Sequence, residues 1–214
     1  MEASEIKIRV LLISIATIVL IEATVSAVTW QGRYLPMLSL GAARLLEMGL
    51  IILIVSAWGR GFSSIGLAPS NMLQGLKKGL IWSAIFGLAT FFAFVILFLL
   101  NINPLKLLHT HLPTKTGEIV LFFFVRGLVG PVAEEVFFRG VLYGFFRRWG
   151  VLVALILSGV AFVLAHPVLP GLPVTQVVGA VIFAMAYEVA GSLMAPITIH
   201  VLGNLCIFTL SLIS

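Results

Sequence analysis

Two adjacent glutamates and an arginine, Glu134, Glu135 and Arg139, sit inside an almost unbroken apolar run from Ile119 to Phe146. In hydrocarbon an ionisable side chain costs at least about 2.5–3.5 kcal/mol at mid-bilayer, so each needs a partner or a purpose. Helix geometry settles part of the pairing. Glu135 and Arg139 stand at i and i+4 on one face, with the acid N-terminal, which is the favoured orientation. Glu134 lies about 100° round the helix and points elsewhere. One carboxylate thus has a partner within its own helix, and the other must find one on a different helix. An intramembrane ion pair alone is as readily a structural lock as a site. The spare glutamate shifts the reading toward chemistry.

Composition places that run in an integral membrane protein. The chain is 61% hydrophobic and 10% charged, with a mean hydropathy of +1.19, whereas soluble domains are about 25% charged. The one cysteine, Cys206, sits in an apolar run, which excludes a disulfide framework and a Cys-rich metal site. The net charge of +5 reads as a topology signal, because basic residues gather at cytoplasmic loop ends, and no nucleic-acid partner is implied. All eight acidic residues are glutamates.

In order, Val10–Val28 reads as a retained first helix and Leu35–Trp58 as a second span carrying Arg44 and Glu47 at i, i+3, a structural lock. Gly59–Gly79 reads as a polar connector whose middle, Ile65-Gly66-Leu67-Ala68-Pro69, lies along the membrane surface. Leu80–Leu100 is a third span. Glu118–Arg148 is a fourth helix about 45 Å long, with a kink expected at Pro131, one turn ahead of the glutamates. Val151–His166, Leu172–Ala190 and Leu193–Ile213 complete the set, with a proline turn at Pro167–Pro173. With the N-terminus cytoplasmic, Lys7, Arg9, Arg60, Lys77, Lys78, Arg147 and Arg148 fall inside and only Arg33, Lys106 and Lys115 outside, which favours that orientation.

Few polar side chains lie deep in the later helices. Phe162 and His166 are i, i+4 on the fifth, and His200 and Asn204 are i, i+4 on the seventh, sharing a face. A single histidine in an apolar helix is more often a packing residue than a catalyst, but two, with an asparagine and an unpaired glutamate, are harder to dismiss. Glutamate near histidine can polarise a water as general base, and a histidine with an asparagine amide can donate to an oxyanion. These are the parts for hydrolysing a peptide bond. Other intramembrane routes lack their residues: there is no His-Glu-x-x-His, no aspartate, and no Gly-x-Ser-Gly turn around Ser158 or Ser192.

Glu134-Glu135-x-x-x-Arg139, Phe162-x-x-x-His166 and His200-x-x-x-Asn204, in that order, resemble the CPBP (CAAX protease and bacteriocin-processing, or Abi) family of intramembrane endopeptidases. The likeness covers roughly Glu118 to Leu212. Ile65-Gly66-Leu67 and Gly75–Leu80 also resemble the region ahead of that family's core. The resemblance implies an all-α polytopic helical bundle of about seven transmembrane helices, six or eight being the alternatives, in one membrane domain with N-terminal helices over 1–117 and a catalytic core over 118–214.

It further implies that Glu134 with His166 activates the water and that His200 and Asn204 stabilise the oxyanion. Glu135 and Arg139 set the electrostatics, and Phe162 supports the site. No cofactor is expected, with a zinc-bound version through Glu134, His166 and His200 as the alternative. A neutral asparagine beside His200 suits an oxyanion hole better than a ligand set. A non-catalytic bacteriocin self-immunity protein is a further alternative, against which stands that every motif position is filled. The expected partners are the lipid bilayer and a membrane-associated protein or peptide substrate. The expected location is a bacterial inner membrane.

Overall fold

The computed structural model describes residues 6–30, 36–108, 110–166 and 173–213. Among the described residues there are seven principal helices and no strand. We label them α1 (Ile8–Trp30), α2 (Pro36–Trp58), α3 (Pro69–Leu99), α4, α5 (Val151–Leu164), α6 (Val174–Ala190) and α7 (Met194–Ile213). α4 is a continuous rod of six segments: Thr116–Phe124, Val125–Val129, Gly130–Glu135, Val136–Tyr143, Gly144–Phe146 and Arg147–Trp149.

Four stretches are long and apolar enough to cross a membrane: Ile8–Val28, Pro36–Trp58, Phe62–Leu99 and Met194–Ile213. α5 and α6 are shorter apolar helices, and α4 changes its winding twice along its length. The chain is an all-α polytopic membrane protein. Most of the proline turn expected at Pro167–Pro173, and Arg33 on the outer side, fall outside the described residues.

α4 is the axis. Over Val136–Tyr143 every residue but Phe137 is buried, so neighbours pack against it on nearly all sides. The principal core combines Val10 and Leu11 of α1, Ile51, Ile54 and Val55 of α2, Val136 to Phe145 of α4, Phe162 of α5, and Phe183, Ala184 and Tyr187 of α6. α3 sits outermost. Its Ile81, Ile85, Leu88, Phe91 and Phe92 are exposed, as a helix facing lipid requires.

The expected fold differs from the observed one in the connector before α3. The helix begins at Pro69, eleven residues ahead of the expected Leu80, because Pro69 is a good first helical residue and nothing after it breaks the pattern. Gly75 and Gly79 are contact points on one face of α3. A Cβ on Gly75 would stand 2.2 Å from Ser192 Oγ, and one on Gly79 would stand 2.7 Å from Thr198 Cβ, so both glycines let α3 close on α7 and the turn before it.

Ile65-Gly66 does not lie on a membrane surface. Ile65 is fully buried against Gly140 of α4, and the Gly66 carbonyl accepts a hydrogen bond from Leu193 N at 2.9 Å. Gly66 has φ of +76°, and a Cβ there would meet Tyr187 at 2.8 Å, so glycine is required twice over. The sequence reading took polar, glycine-rich composition for exposure. Here it marks close backbone approach.

The distortion of α4 near Pro131 takes the form of π-helical turns on both sides of the glutamates, Val125–Val129 and Val136–Tyr143. Proline supplies no N–H, and widening the helix re-routes the bonds around it.

Candidate functional site

The short α-helical segment Gly130–Glu135 carries the two glutamates between the π turns. Glu135 is fully buried, and its Oε1 accepts from Arg139 Nη1 at 2.9 Å within the same helix. The same oxygen lies 2.8 Å from His200 Nδ1 of α7. Arg139 is 1% exposed; its Nη2 donates to the Ala180 carbonyl at 3.3 Å, and its guanidinium covers the Phe162 ring at 4.5 Å and the Phe183 ring at 5.2 Å. Carbonyl, carboxylate and two ring faces therefore receive this buried cation, which is what keeps an intramembrane arginine tolerable.

Glu134 faces the other way, as its position on the helix requires. Its Oε2 lies 3.5 Å from His166 Nε2 and 3.9 Å from His200 Nε2, and it has no hydrogen-bond partner among the described residues. Both imidazoles are oriented from behind. His166 Nδ1 is 2.7 Å from the Phe162 carbonyl, which can only accept, so that nitrogen carries the proton. His200 Nδ1 faces the Glu135 carboxylate and is likewise the donor. Each Nε2 is thereby turned toward Glu134. Phe162 packs on His166 at 4.5 Å between ring centroids, and Phe183 stacks on His200 at 4.5 Å and 21°.

Asn204 is joined to α4 differently. Its Nδ2 donates to the Arg126 carbonyl at 3.0 Å. That carbonyl needs an outside donor. In the π turn the Gly130 N–H reaches the Val125 carbonyl five residues back, and Pro131, next in line for Arg126, has no N–H. The asparagine amide closes the gap left by the proline and keeps its second N–H and its carbonyl oxygen for other partners.

The residues expected from sequence thus come together from three elements: Glu134, Glu135 and Arg139 on α4, Phe162 on α5 with His166 two residues past its end, His200 and Asn204 on α7. Sequence reasoning missed Phe183, the Ala180 carbonyl and the Arg126 carbonyl. A phenylalanine among sixteen carries no signal of its own, and backbone carbonyls carry none. Among the described residues no group of three or more His, Cys, Asp or Glu is spaced to hold a metal ion.

A buried arginine–glutamate–histidine network thus stands beside a second glutamate whose Oε2 has no hydrogen-bond partner among the described residues. Residues 116–206 match the family described as type II CAAX prenyl endopeptidase Rce1-like. Over 94 residues the chain is 35% identical to the membrane-embedded CAAX protease MroQ of Staphylococcus aureus, covering 41% of this chain and 38% of that protein. No solved structure matches. The family match covers under half of the chain, in the region that contains every motif residue named above. The match spans well under half the length of the curated relative.

Proposed function

We propose that the protein is an intramembrane endopeptidase that cleaves a peptide bond of a membrane-associated protein or peptide precursor with a water activated by Glu134 and His166. The observation that carries this reading is the separation of the two adjacent carboxylates. Glu135 is consumed by Arg139 and His200, while Glu134 faces two imidazole Nε2 atoms at 3.5 and 3.9 Å. Those gaps exceed a direct hydrogen bond and suit a water bridging carboxylate and imidazole.

Glu134 takes a proton from that water as its oxygen attacks the scissile carbonyl. The carbonyl oxygen becomes an oxyanion beside His200, whose Nδ1 is held by the Glu135 carboxylate and whose Nε2 faces the site. The free N–H of Asn204 is the second donor. The C–N bond then breaks, and the proton held between Glu134 and His166 passes to the leaving amine. Arg139 touches none of the reacting atoms and positions Glu135.

The seven cations at one end of the bundle support an N-terminus on the cytoplasmic side, in a bacterial inner membrane. The substrate class that fits is a short precursor peptide or a protein with a membrane-embedded terminal tail. Comparing the termini of membrane proteins in cells carrying the native chain or Glu134→Gln tests the proposal. Termini that depend on Glu134 identify substrates. Identical sets of termini would reduce the protein to a non-catalytic family member.

A further inference from the structure

A second feature lies at the end of the bundle where α1 begins and α2 and α4 end. Among the described residues an open cavity of about 460 Å³ is lined by Lys7, Ile8, Arg9 and Arg148, three cations and one apolar residue. We propose that this cavity binds the phosphate headgroup of an anionic membrane lipid and so clasps the three helix ends together.

Two of the three cations, Arg9 and Arg148, are held in place before any ligand arrives. Arg9 Nη2 donates to the Trp58 carbonyl at the end of α2, at 3.3 Å. Arg148 donates to the Phe145 carbonyl at 3.0 Å and to the Ile6 carbonyl, and its guanidinium lies over the Phe145 ring at 4.2 Å and the Trp149 ring at 5.4 Å. Five N–H groups on a guanidinium leave Arg148 donors beyond the two that its carbonyl partners take, and these suit phosphate oxygens. The neighbouring Arg147 is committed elsewhere, in a two-bond fork with Glu188 at 2.8 and 2.9 Å, which also removes that carboxylate from competition.

A phosphate could come from a lipid or from a small soluble molecule, and the surroundings favour the lipid. Ile8, Leu12, Ile15 and Val19 are all exposed and fall at i, i+4, i+7 and i+11 along α1. That spacing draws an apolar stripe from the cavity into the membrane-spanning part of the helix, a track for an acyl chain. Trp149, under the Arg148 guanidinium, is exposed as well. Basic pockets between transmembrane helices are a recurring mode of anionic-headgroup recognition.

The test uses the full chain in nanodiscs of phosphatidylcholine containing a headgroup-labelled phosphatidylglycerol, with binding read by energy transfer and lipid retention by native mass spectrometry. The native chain should retain phosphatidylglycerol over phosphatidylcholine. Lys7→Gln with Arg9→Gln should weaken that binding about thirtyfold, from about 1 kcal/mol per cation at the surface, while Arg60→Gln with Lys77→Gln, cations outside the cavity, should change it by less than about threefold. Lys7→Gln alone, expected to weaken binding about fivefold, keeps the test readable where the Arg9 variant unfolds. Equal losses in the two pairs would overturn the site in favour of diffuse surface charge. Displacement of the lipid by millimolar inorganic phosphate would overturn the lipid assignment, and absence of any preference for phosphatidylglycerol would overturn both.

Discussion

Among the described residues, two clusters each join one arginine to neighbouring glutamates, one part-exposed and one centred on a buried arginine, and they are built to opposite ends. Between α1 and α2, Arg44 receives both acids: Glu22 at 2.7 Å from the neighbouring helix and Glu47 from its own. In α4, Arg139 receives only Glu135, although Glu134 is adjacent in sequence. The spacing decides the outcome. Glu47 is one turn from Arg44 and Glu22 comes from another helix, so both can converge on one guanidinium. Neighbouring residues on one helix diverge by about 100°, so Glu134 and Glu135 cannot. The first cluster locks two helices together, and its Arg44 also lies close enough to act electrostatically on Glu134. The second leaves one carboxylate for His166, just past α5, and His200 of α7.

That contrast makes graded predictions. The largest effect should follow Glu134→Gln. Loss of the general base should lower cleavage by about 10²–10⁴-fold, while the thermal midpoint stays near that of the native chain, since no protein hydrogen bond to Oε2 is lost among the described residues. A variant that unfolds in step with its loss of activity would place Glu134 in the same structural role as Glu47.

Glu135→Gln should behave in the reverse sense. It removes the charge that Arg139 and His200 share, and stranding a buried arginine is expected to destabilise the fold by about 3–5 kcal/mol. Urea or guanidinium titration of reconstituted protein, read by tryptophan fluorescence, measures it. A fully stable, inactive variant would show that Arg139 has another counter-charge.

Asn204→Ala comes next and carries two consequences at once. Loss of an oxyanion donor lowers turnover by about 10²–10³-fold with the Michaelis constant nearly unchanged. Loss of the bond to the Arg126 carbonyl destabilises the fold by about 1–3 kcal/mol. Asn204→Asp should be at least as inactive, because a carboxylate can neither donate to that carbonyl nor accept the charge of the oxyanion. Normal turnover per folded molecule in Asn204→Ala would leave the residue as a clamp on the π turn and nothing more.

Glu47→Gln should cost less than Glu135→Gln, about 1 kcal/mol, because Glu22 remains on Arg44. An equal loss in the two variants would erase the distinction between the clusters. The smallest effect should come from chelation. Purified enzyme stripped by a strong chelator should keep its rate, and zinc-dependent recovery of a lost rate would decide for a metal mechanism instead.

Much of the candidate site was legible without coordinates, and the reason is local geometry. A helix repeats every 3.6 residues, so Glu135 with Arg139, Phe162 with His166 and His200 with Asn204 had to share faces, and Glu134 had to leave its neighbour's. Hydropathy alone placed the chain in a membrane as a helical bundle. What depended on how helices rotate and cross could not be read. Glu22, in the first span, completes the Arg44 cluster from another helix, and no spacing along the chain announces that pairing. The connector at Ile65-Gly66 was read as surface and is core, because a polar, glycine-rich segment looks the same whether its backbone meets headgroups or another backbone. The missing N–H of Pro131 was visible in the sequence. That Asn204, seventy-three positions away, supplies the bond to the carbonyl it leaves open was decided only when α7 packed against the π turn of α4, since a donor's partner on another helix is set by packing and by no spacing along the chain.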